Sequence, residues 1–144
     1  MAKMVDIGGK IPIKRMSRAS GFIRLSPESL GKIKSNDVDK GNVLSVAETA
    51  GVMAVKKTTD IVPLTHPIPI TGVDIDFEFK EEGLGVVVKV ESEGQTGVEM
   101  EALTGVTSTL LTIWDMVKKY EKDEEGQYPD TRIENIEVLE KVKS

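Results

Sequence analysis

The stretch Val73-Asp74-Ile75-Asp76-Phe77-Glu78-Phe79-Lys80 decides the fold, because apolar and charged residues alternate strictly along it. An alternation of period two is typical of a β-strand with one buried face and one wet face. A turn is predicted at Gly83-Leu84-Gly85, and the apolar run 86–90 follows it. We therefore expect the two segments to pair as an antiparallel hairpin.

Three helices are predicted around this hairpin. Ser26-Pro27-Glu28 supplies a capping serine, a proline at the first helical position and an early carboxylate, which predicts a short helix ending near residue 34. A second helix is predicted over 41–57, where small apolar residues recur at helical steps and favour close packing. A long helix is predicted over 98–120, with an apolar face made of Leu103, Val106, Leu110, Ile113, Trp114 and Val117.

Shorter segments at 19–25 and 133–139 predict a first and a last strand, and residues 1–17 form a basic N-terminal arm with no clear period. The element order then contains the βαββαβ arrangement with one extra helical piece. We predict a single α+β domain over 1–144, a ferredoxin-like antiparallel sheet with helices on one face. The other face is left for a partner subunit, so a homo-oligomer is expected.

Composition excludes several classes of function. The chain has 144 residues, no cysteine and one histidine, His66, which excludes disulfides, thiolate-ligated zinc, iron–sulfur clusters and a thiol nucleophile. A formal net charge of −5 disfavours a nucleic-acid partner. No stretch is apolar enough to span a bilayer, and the N-terminus lacks the pattern of a signal peptide. We expect a cytoplasmic protein with no membrane partner.

The long predicted helix carries a polar stripe. At about 100° per residue, Ser108, Thr112 and Asp115 lie within roughly 40° of Glu101, opposite the predicted core. Lys118 follows Asp115 by three residues, which is close enough for a charge-assisted contact. A solvated helix face commonly has this composition. The small Ser108 instead suits a face that another subunit or a ligand approaches, and both interpretations stay open.

Three other basic residues have both a structural and a functional interpretation. His66 lies in a stiff, proline-rich segment, where a backbone carbonyl could satisfy it or where it could meet an anionic oxygen or a moving proton. Lys40 precedes a helix start, where the helix dipole disfavours a cation, so its position favours a functional role. Lys56 ends the second helix, where compensation of the dipole is the simpler explanation.

Together these motifs resemble a known family, molybdenum cofactor biosynthesis protein C, which is cyclic pyranopterin monophosphate synthase. The resemblance covers nearly the whole chain in the right order. Thr65 stands where the family commonly has cysteine, which indicates packing rather than chemistry at that position. The matching segments are Met4-Val5-Asp6-Ile7 with Lys10 and Arg15, Lys40-Gly41-Asn42-Val43, Leu64-Thr65-His66-Pro67, Thr96-Gly97-Val98-Glu99-Met100-Glu101-Ala102-Leu103-Thr104, and Thr112-Ile113-Trp114-Asp115-Met116 with Lys118.

The resemblance implies a step of molybdopterin synthesis. In it, (8S)-3′,8-cyclo-7,8-dihydroguanosine 5′-triphosphate, supplied by a radical S-adenosylmethionine enzyme, becomes cyclic pyranopterin monophosphate and pyrophosphate is released. It also implies a homohexamer built as a trimer of dimers, with active sites at subunit interfaces. This chemistry needs proton transfers and triphosphate binding, so no prosthetic group and no protein-bound metal are expected, although Mg²⁺ can accompany the triphosphate.

The resemblance also assigns roles to single residues. Lys40 and Lys118 are expected to be the general acid and base, with Asp115 orienting or tuning Lys118. A lysine used in this way needs a lowered pKa, which burial or a lysine of another subunit could supply. His66 and Glu101 are expected to hold the sugar–pterin part. Lys10, Arg15 and Lys56 are expected at the triphosphate, and Leu64, Thr65, Glu99 and Met100 are further expected substrate-binding residues.

One departure from the family pattern concerns the phosphate contacts. Many members continue past the last strand into a Gly-Gly-Lys-Ser-Gly-like tail, and here Lys141 or Lys143 is expected to substitute for it. A different class of function also fits the predicted fold. It is a non-catalytic, oligomeric module that binds an anionic nucleotide or pterin metabolite.

Overall fold

The computed structural model describes residues 1–144, and it confirms the hairpin expected from the alternating stretch. Strand β2 (Ile70–Lys80) pairs antiparallel with strand β3 (Gly83–Gly94), with Ile75 opposite Val88. Asp74, Asp76 and Glu78 are exposed on the wet face of β2, whereas Ile75 is buried. The two faces of the strand are therefore separated as the period of two predicts.

The predicted turn position is wrong, because Gly83, Leu84 and Gly85 already belong to β3. The chain reverses at residues 81 and 82, and Lys80 pairs directly with Gly83 across a two-residue turn. Gly83 is needed for packing rather than for turning. A Cβ at this position would lie 2.0 Å from the carbonyl oxygen of Ile23, so only glycine lets the two strands approach.

Strands β1 (Ile13–Arg24) and β4 (Arg132–Lys143) complete a four-stranded sheet in the order β2-β3-β1-β4, with every neighbouring pair antiparallel. This is the predicted ferredoxin-like α+β arrangement. Both strands are longer than predicted, and residues 13–17 of the predicted arm are part of β1. Strand β1 lies between β3 and β4 and gains backbone hydrogen bonds from both, which stabilise it where its side-chain alternation is weak.

The three predicted helices are present with closely matching bounds. They are α1 (Pro27–Lys34), α2 (Val43–Lys56) and α4 (Glu99–Glu121), and a single turn, α3 (Thr58–Ile61), was not predicted. The hydroxyl of Ser26 accepts from the backbone N–H of Ser29, which confirms the predicted cap. A helix as short as α3 is too brief to show a hydrophobic period, so the sequence carries no signal for it.

Helices α2 and α4 cover one face of the sheet, and α2 packs closely on α4 as its small residues predict. A Cβ on Gly51 would lie 2.2 Å from the hydroxyl of Thr109, so the contact requires glycine at this crossing. The core face of α4 differs from the prediction at its edges, because Leu103 and Trp114 are only half-buried while Ala102, Thr109 and Met116 are buried. The close approach of α2 widens the buried face of α4.

The open face of the sheet is polar. It carries Arg18, Arg24 and Lys89 beside the exposed carboxylates of β2 and β4, and no helix of the chain covers it. The expected burial of this face by a partner subunit stays a prediction. None of the helices combines the length and the apolar character that a membrane crossing needs.

A buried carboxylate, Glu121, ties the end of α4 to two other elements. It accepts hydrogen bonds from the backbone N–H of Ser26 at 3.0 Å, from the hydroxyl of Thr131 at 2.7 Å and from the hydroxyl of Ser29. Burial by itself raises the pKa of Glu121, but the hydrogen bonds from Ser29, Ser26 and Thr131 outweigh it and lower the pKa below its ordinary value of 4.5.

Replacing Glu121 with glutamine should lower the free energy of unfolding by about 1–3 kcal/mol at pH 7, because charge-assisted hydrogen bonds of a buried group are lost. The lowered pKa of the folded state makes this contribution present above the unfolded pKa, and it is lost as pH falls through the folded pKa. Urea titrations should therefore show wild type and Glu121→Gln converging in acid. Glu124→Gln, at an exposed position, is the matched control; a stability gap that does not change with pH would contradict this account.

Candidate active site

Asp115 brings together the two lysines that were predicted to act in catalysis. The Nζ atom of Lys118 lies 3.0 Å from Oδ1 of Asp115, one helical turn away on α4. The Nζ atom of Lys40, from the loop between α1 and α2, lies 2.9 Å from Oδ2. Each carboxylate oxygen therefore accepts from a different ammonium group, and all three side chains remain about half exposed.

The charges in this cluster shift the pKa values of Asp115 and Lys118 in opposite directions. Hydrogen bonds from Lys40 and Lys118 hold the pKa of Asp115 below its usual range. The hydrogen bond and charge of Asp115 raise the pKa of Lys118, with a smaller contribution from Tyr128. The lowered lysine pKa that general base catalysis requires is therefore absent from Lys118 in a single chain. In this arrangement Lys118 is a cation that can donate a proton.

The predicted sugar–pterin residues gather at the opposite end of α4. A cavity of about 300 Å³ is lined by Leu64, Thr65, His66, Glu99, Met100 and Glu101, together with Lys10 and apolar residues of the N-terminal arm. The Thr65 hydroxyl donates to the carbonyl of Val62 at 2.7 Å, which agrees with a packing role. The structure thus places seven predicted binding residues, Lys10 included, around one space.

Two carboxylates in this cavity have pKa values that move apart. Burial raises the pKa of Glu101, with a smaller effect of the neighbouring charge of Glu99. Burial acts in the same direction on Glu99, but the hydrogen bond and charge of Lys141, the backbone N–H of Glu99 and the charge of Arg15 together outweigh burial and lower the pKa of Glu99. Two carboxyl groups tuned in opposite directions are typical of sites that move protons.

The predicted polar stripe on α4 does not lie opposite the core. Glu101 is only 5% exposed, and Ser108 faces α2, where its hydroxyl lies 3.5 Å from the carbonyl of Ala50. Helix α2 covers part of the α4 surface that would face solvent if α4 packed on the sheet alone. The stripe therefore runs along the edge of the covered surface. Of the two interpretations left open, a solvated face is therefore excluded for Glu101.

Cations surround a second cavity, of about 800 Å³, which adjoins the first. Lys10 and Arg15 line it with Lys141 and Lys143 from the end of β4. Lys10, Thr96 and Gly97 line both cavities, so the two form neighbouring parts of one surface. Lys56, in the last turn of α2, lines neither cavity.

The Lys40–Asp115–Lys118 cluster and the two cavities do not meet within one chain. At about 1.5 Å per residue, α4 places Asp115 roughly 21 Å beyond Glu101. Helix α4 is continuous between them. One molecule therefore presents two half-sites that face different parts of its surface.

Sequence reasoning missed two contacts that fix these half-sites. Lys141 makes an ion pair of 2.6 Å with Glu99, and Asp39 makes one with Lys119. Both join residues that are far apart in the chain. The sequence shows opposite charges side by side at Asp39-Lys40 and one helical turn apart at Asp115 and Lys119. Which of these charges pair with each other depends on the path of the loop.

A family model described as the MoaC family matches residues 4–144. The chain belongs to the MoaC family. It is similar to proteins named "Probable cyclic pyranopterin monophosphate synthase" from Methanosarcina mazei, with 58% identity over 99% of this chain and 90% of that protein, and from Pyrococcus horikoshii, with 58% identity over 99% of this chain and 89% of that protein. A relative of the same name from Thermococcus onnurineus is 57% identical over 98% of this chain and 90% of its own length.

MoaC membership confirms the resemblance predicted from the motifs. The segments that carried the resemblance are those that now line the two cavities and form the Lys40–Asp115–Lys118 cluster. The roles of the individual residues are not settled by similarity and stay predictions.

Replacing Asp115 with asparagine should lower the pKa of the Lys118 ammonium, because its hydrogen-bonded anionic partner is lost. The titration can be followed by NMR of the lysine side-chain carbons. Glu125→Gln, in the exposed loop after α4, is the matched control and should leave Lys118 unchanged. A Lys118 pKa that is the same in wild type and Asp115→Asn would contradict the charge coupling described above.

Proposed function

We propose that this chain acts as a cyclic pyranopterin monophosphate synthase in molybdenum cofactor biosynthesis. In this reaction the cyclic dihydroguanosine triphosphate rearranges to a pterin, a cyclic phosphate forms and pyrophosphate leaves. The observation that carries the proposal is the Lys40–Asp115–Lys118 cluster, in which one carboxylate holds two ammonium groups at 2.9 and 3.0 Å. MoaC membership and the names of the relatives support it.

We propose that a complete active site combines the half-sites of two subunits. About 21 Å of rigid helix separates Asp115 from Glu101, which is longer than a nucleotide-sized substrate can bridge while touching both with its reacting part. A partner subunit can instead bring its own cavity to the lysine cluster. A homohexamer built as a trimer of dimers would provide this arrangement, and the additional cation or burial at the contact would lower the lysine pKa.

The triphosphate belongs in the cationic cavity. Lys10, Arg15, Lys141 and Lys143 supply four positive charges there, and Gly97 lies just before the start of α4, where the helix dipole favours an anion. These charges explain how a chain with a net charge of −5 binds a polyanion. Mg²⁺ bound to the triphosphate is compatible with this site, and no prosthetic group takes part in the proposed chemistry.

The sugar–pterin part belongs in the adjoining smaller cavity. His66 and Glu101 line it from two different segments of the chain, and burial raises the pKa of Glu101, which favours its carboxyl group as a donor to a ring nitrogen or carbonyl. Leu64 and Met100 supply apolar surface for the flat ring system. The lysine cluster then moves protons during the rearrangement, with Asp115 holding both ammonium groups in place.

The proposal includes the origin of the substrate and the place of the reaction. A radical S-adenosylmethionine enzyme makes the cyclic nucleotide, and both steps take place in the cytoplasm. Lys56 lies outside the cationic cavity of its own chain, so a role for it at the triphosphate requires the partner subunit.

Single replacements of Lys40 and Lys118 by alanine should lower product formation at least about 100-fold, because a general acid or base is removed. Product and pyrophosphate should be followed together with the cyclic nucleotide as substrate. Lys122→Ala, an exposed lysine just after α4, is the matched control.

Wild-type rates in both Lys40→Ala and Lys118→Ala would overturn the assignment of these lysines. A wild-type protein that binds the nucleotide without forming product would instead favour the non-catalytic metabolite-binding module. The first outcome tests which residues act in catalysis, and the second tests whether the protein is an enzyme.

A further inference from the structure

The loop that carries Lys40 is attached to the rest of the molecule by three successive residues. Val38 is buried in the hydrophobic core at 7% exposure. Asp39 makes an ion pair with Lys119, and its backbone N–H donates to the phenol oxygen of Tyr120 at 3.1 Å. Lys40 reaches Asp115. The loop is therefore anchored before Lys40 by the buried side chain of Val38 and by the two contacts of Asp39, in addition to the contact of Lys40 itself.

The charges of the loop and of α4 allow only one position of the loop along the helix. Asp39 and Lys40 are adjacent in the chain, whereas Asp115 and Lys119 are neighbours one turn apart on α4. Negative Asp39 faces positive Lys119, and positive Lys40 faces negative Asp115. A loop displaced by one turn toward the start of α4 would bring Asp39 to Asp115, and a loop displaced toward its end would bring Lys40 to Lys119; either contact would be repulsive.

Lys40 cannot hold this position through its own contact alone. Its side chain is 47% exposed, and an isolated exposed ion pair contributes little while it restricts a long side chain. Gly41 follows with φ +112, a left-handed conformation at which the loop changes direction. Several charges that act together hold an exposed geometry better than a single pair.

We propose that Lys119 is a positioning residue for Lys40 and acts through Asp39. The proposal rests on the proposed function, in which Lys40 contacts the substrate. Lys119 itself is paired with Asp39 and makes no ion pair with a residue of the lysine cluster. It fixes the backbone next to Lys40, so that the ammonium group stays beside Asp115 in the free enzyme and no ordering is required when the substrate binds.

The direct test is Lys119→Glu, which repels Asp39 and offers Lys40 a competing carboxylate. The expected result is a fall in kcat of at least about fivefold with KM changed less than about twofold, because misplacement of a catalytic group affects the reaction more than binding. The double variant Asp39→Lys with Lys119→Glu restores an attractive pair and should recover most of the lost kcat. Lys122→Glu makes the same charge change without a contact to the loop and should behave as wild type.

A second measurement does not depend on activity. The amine of Lys40 should react faster with formaldehyde and borohydride in Lys119→Glu than in wild type, since its contact with Asp115 is loosened, and mass spectrometry of peptides measures this rate. The rate should return to the wild-type value in the double variant and stay unchanged in Lys122→Glu.

Wild-type kcat together with wild-type Lys40 reactivity in Lys119→Glu would overturn the proposal. So would a loss of kcat that Asp39→Lys fails to recover while circular dichroism shows a folded protein. If the wild-type protein forms no product but Lys40 reactivity follows the expected pattern, the positioning contact stands and the proposed function fails.

Discussion

The apolar contact of α4 with β1 and β3 positions every candidate functional side chain. Val106, Leu110 and Ile113 are fully buried, with Val106 and Leu110 lying over Gly21 of β1, and Gly51 and Gly105 let α2 close over the other side of the helix. Such a contact holds a helix of 23 residues in a fixed position on the sheet. The two ends of α4 are thereby held apart, and each end carries one half-site.

The distribution of charge follows from this scaffold. Acidic side chains lie mostly on the open sheet face and in the loop after α4, whereas four cations converge where the ends of β1 and β4 meet the N-terminal arm. A net charge of −5 therefore describes the outer surface and not the cavity. At the other end of α4, Asp115 is balanced by two lysines, so the cluster as a whole is cationic. Both half-sites are thus suited to an anionic substrate.

Local patterns predicted the elements, and long-range contacts account for what they missed. The alternation in β2 and the Ser26 cap depend on neighbours in the chain, so these features are visible in the sequence. The extension of β1 toward Ile13 depends on pairing with β3 and, from Arg15 onward, with β4, and the surroundings of Glu101 depend on the path of the N-terminal arm and of residues 64–66. The pairing of Asp39 with Lys119 depends on where a loop crosses a helix. Motifs could name the site residues, but their separation into two half-sites required the three-dimensional fold.

The central claim is that each active site takes its lysine cluster from one subunit and its cavity from another. Mixed oligomers of Lys118→Ala and Glu101→Gln subunits, carrying different tags and purified through both, test it directly. Each variant alone should form little product, and the mixed oligomers should regain product formation because some of their sites combine two intact halves. Mixed oligomers as inactive as both parents would contradict the account.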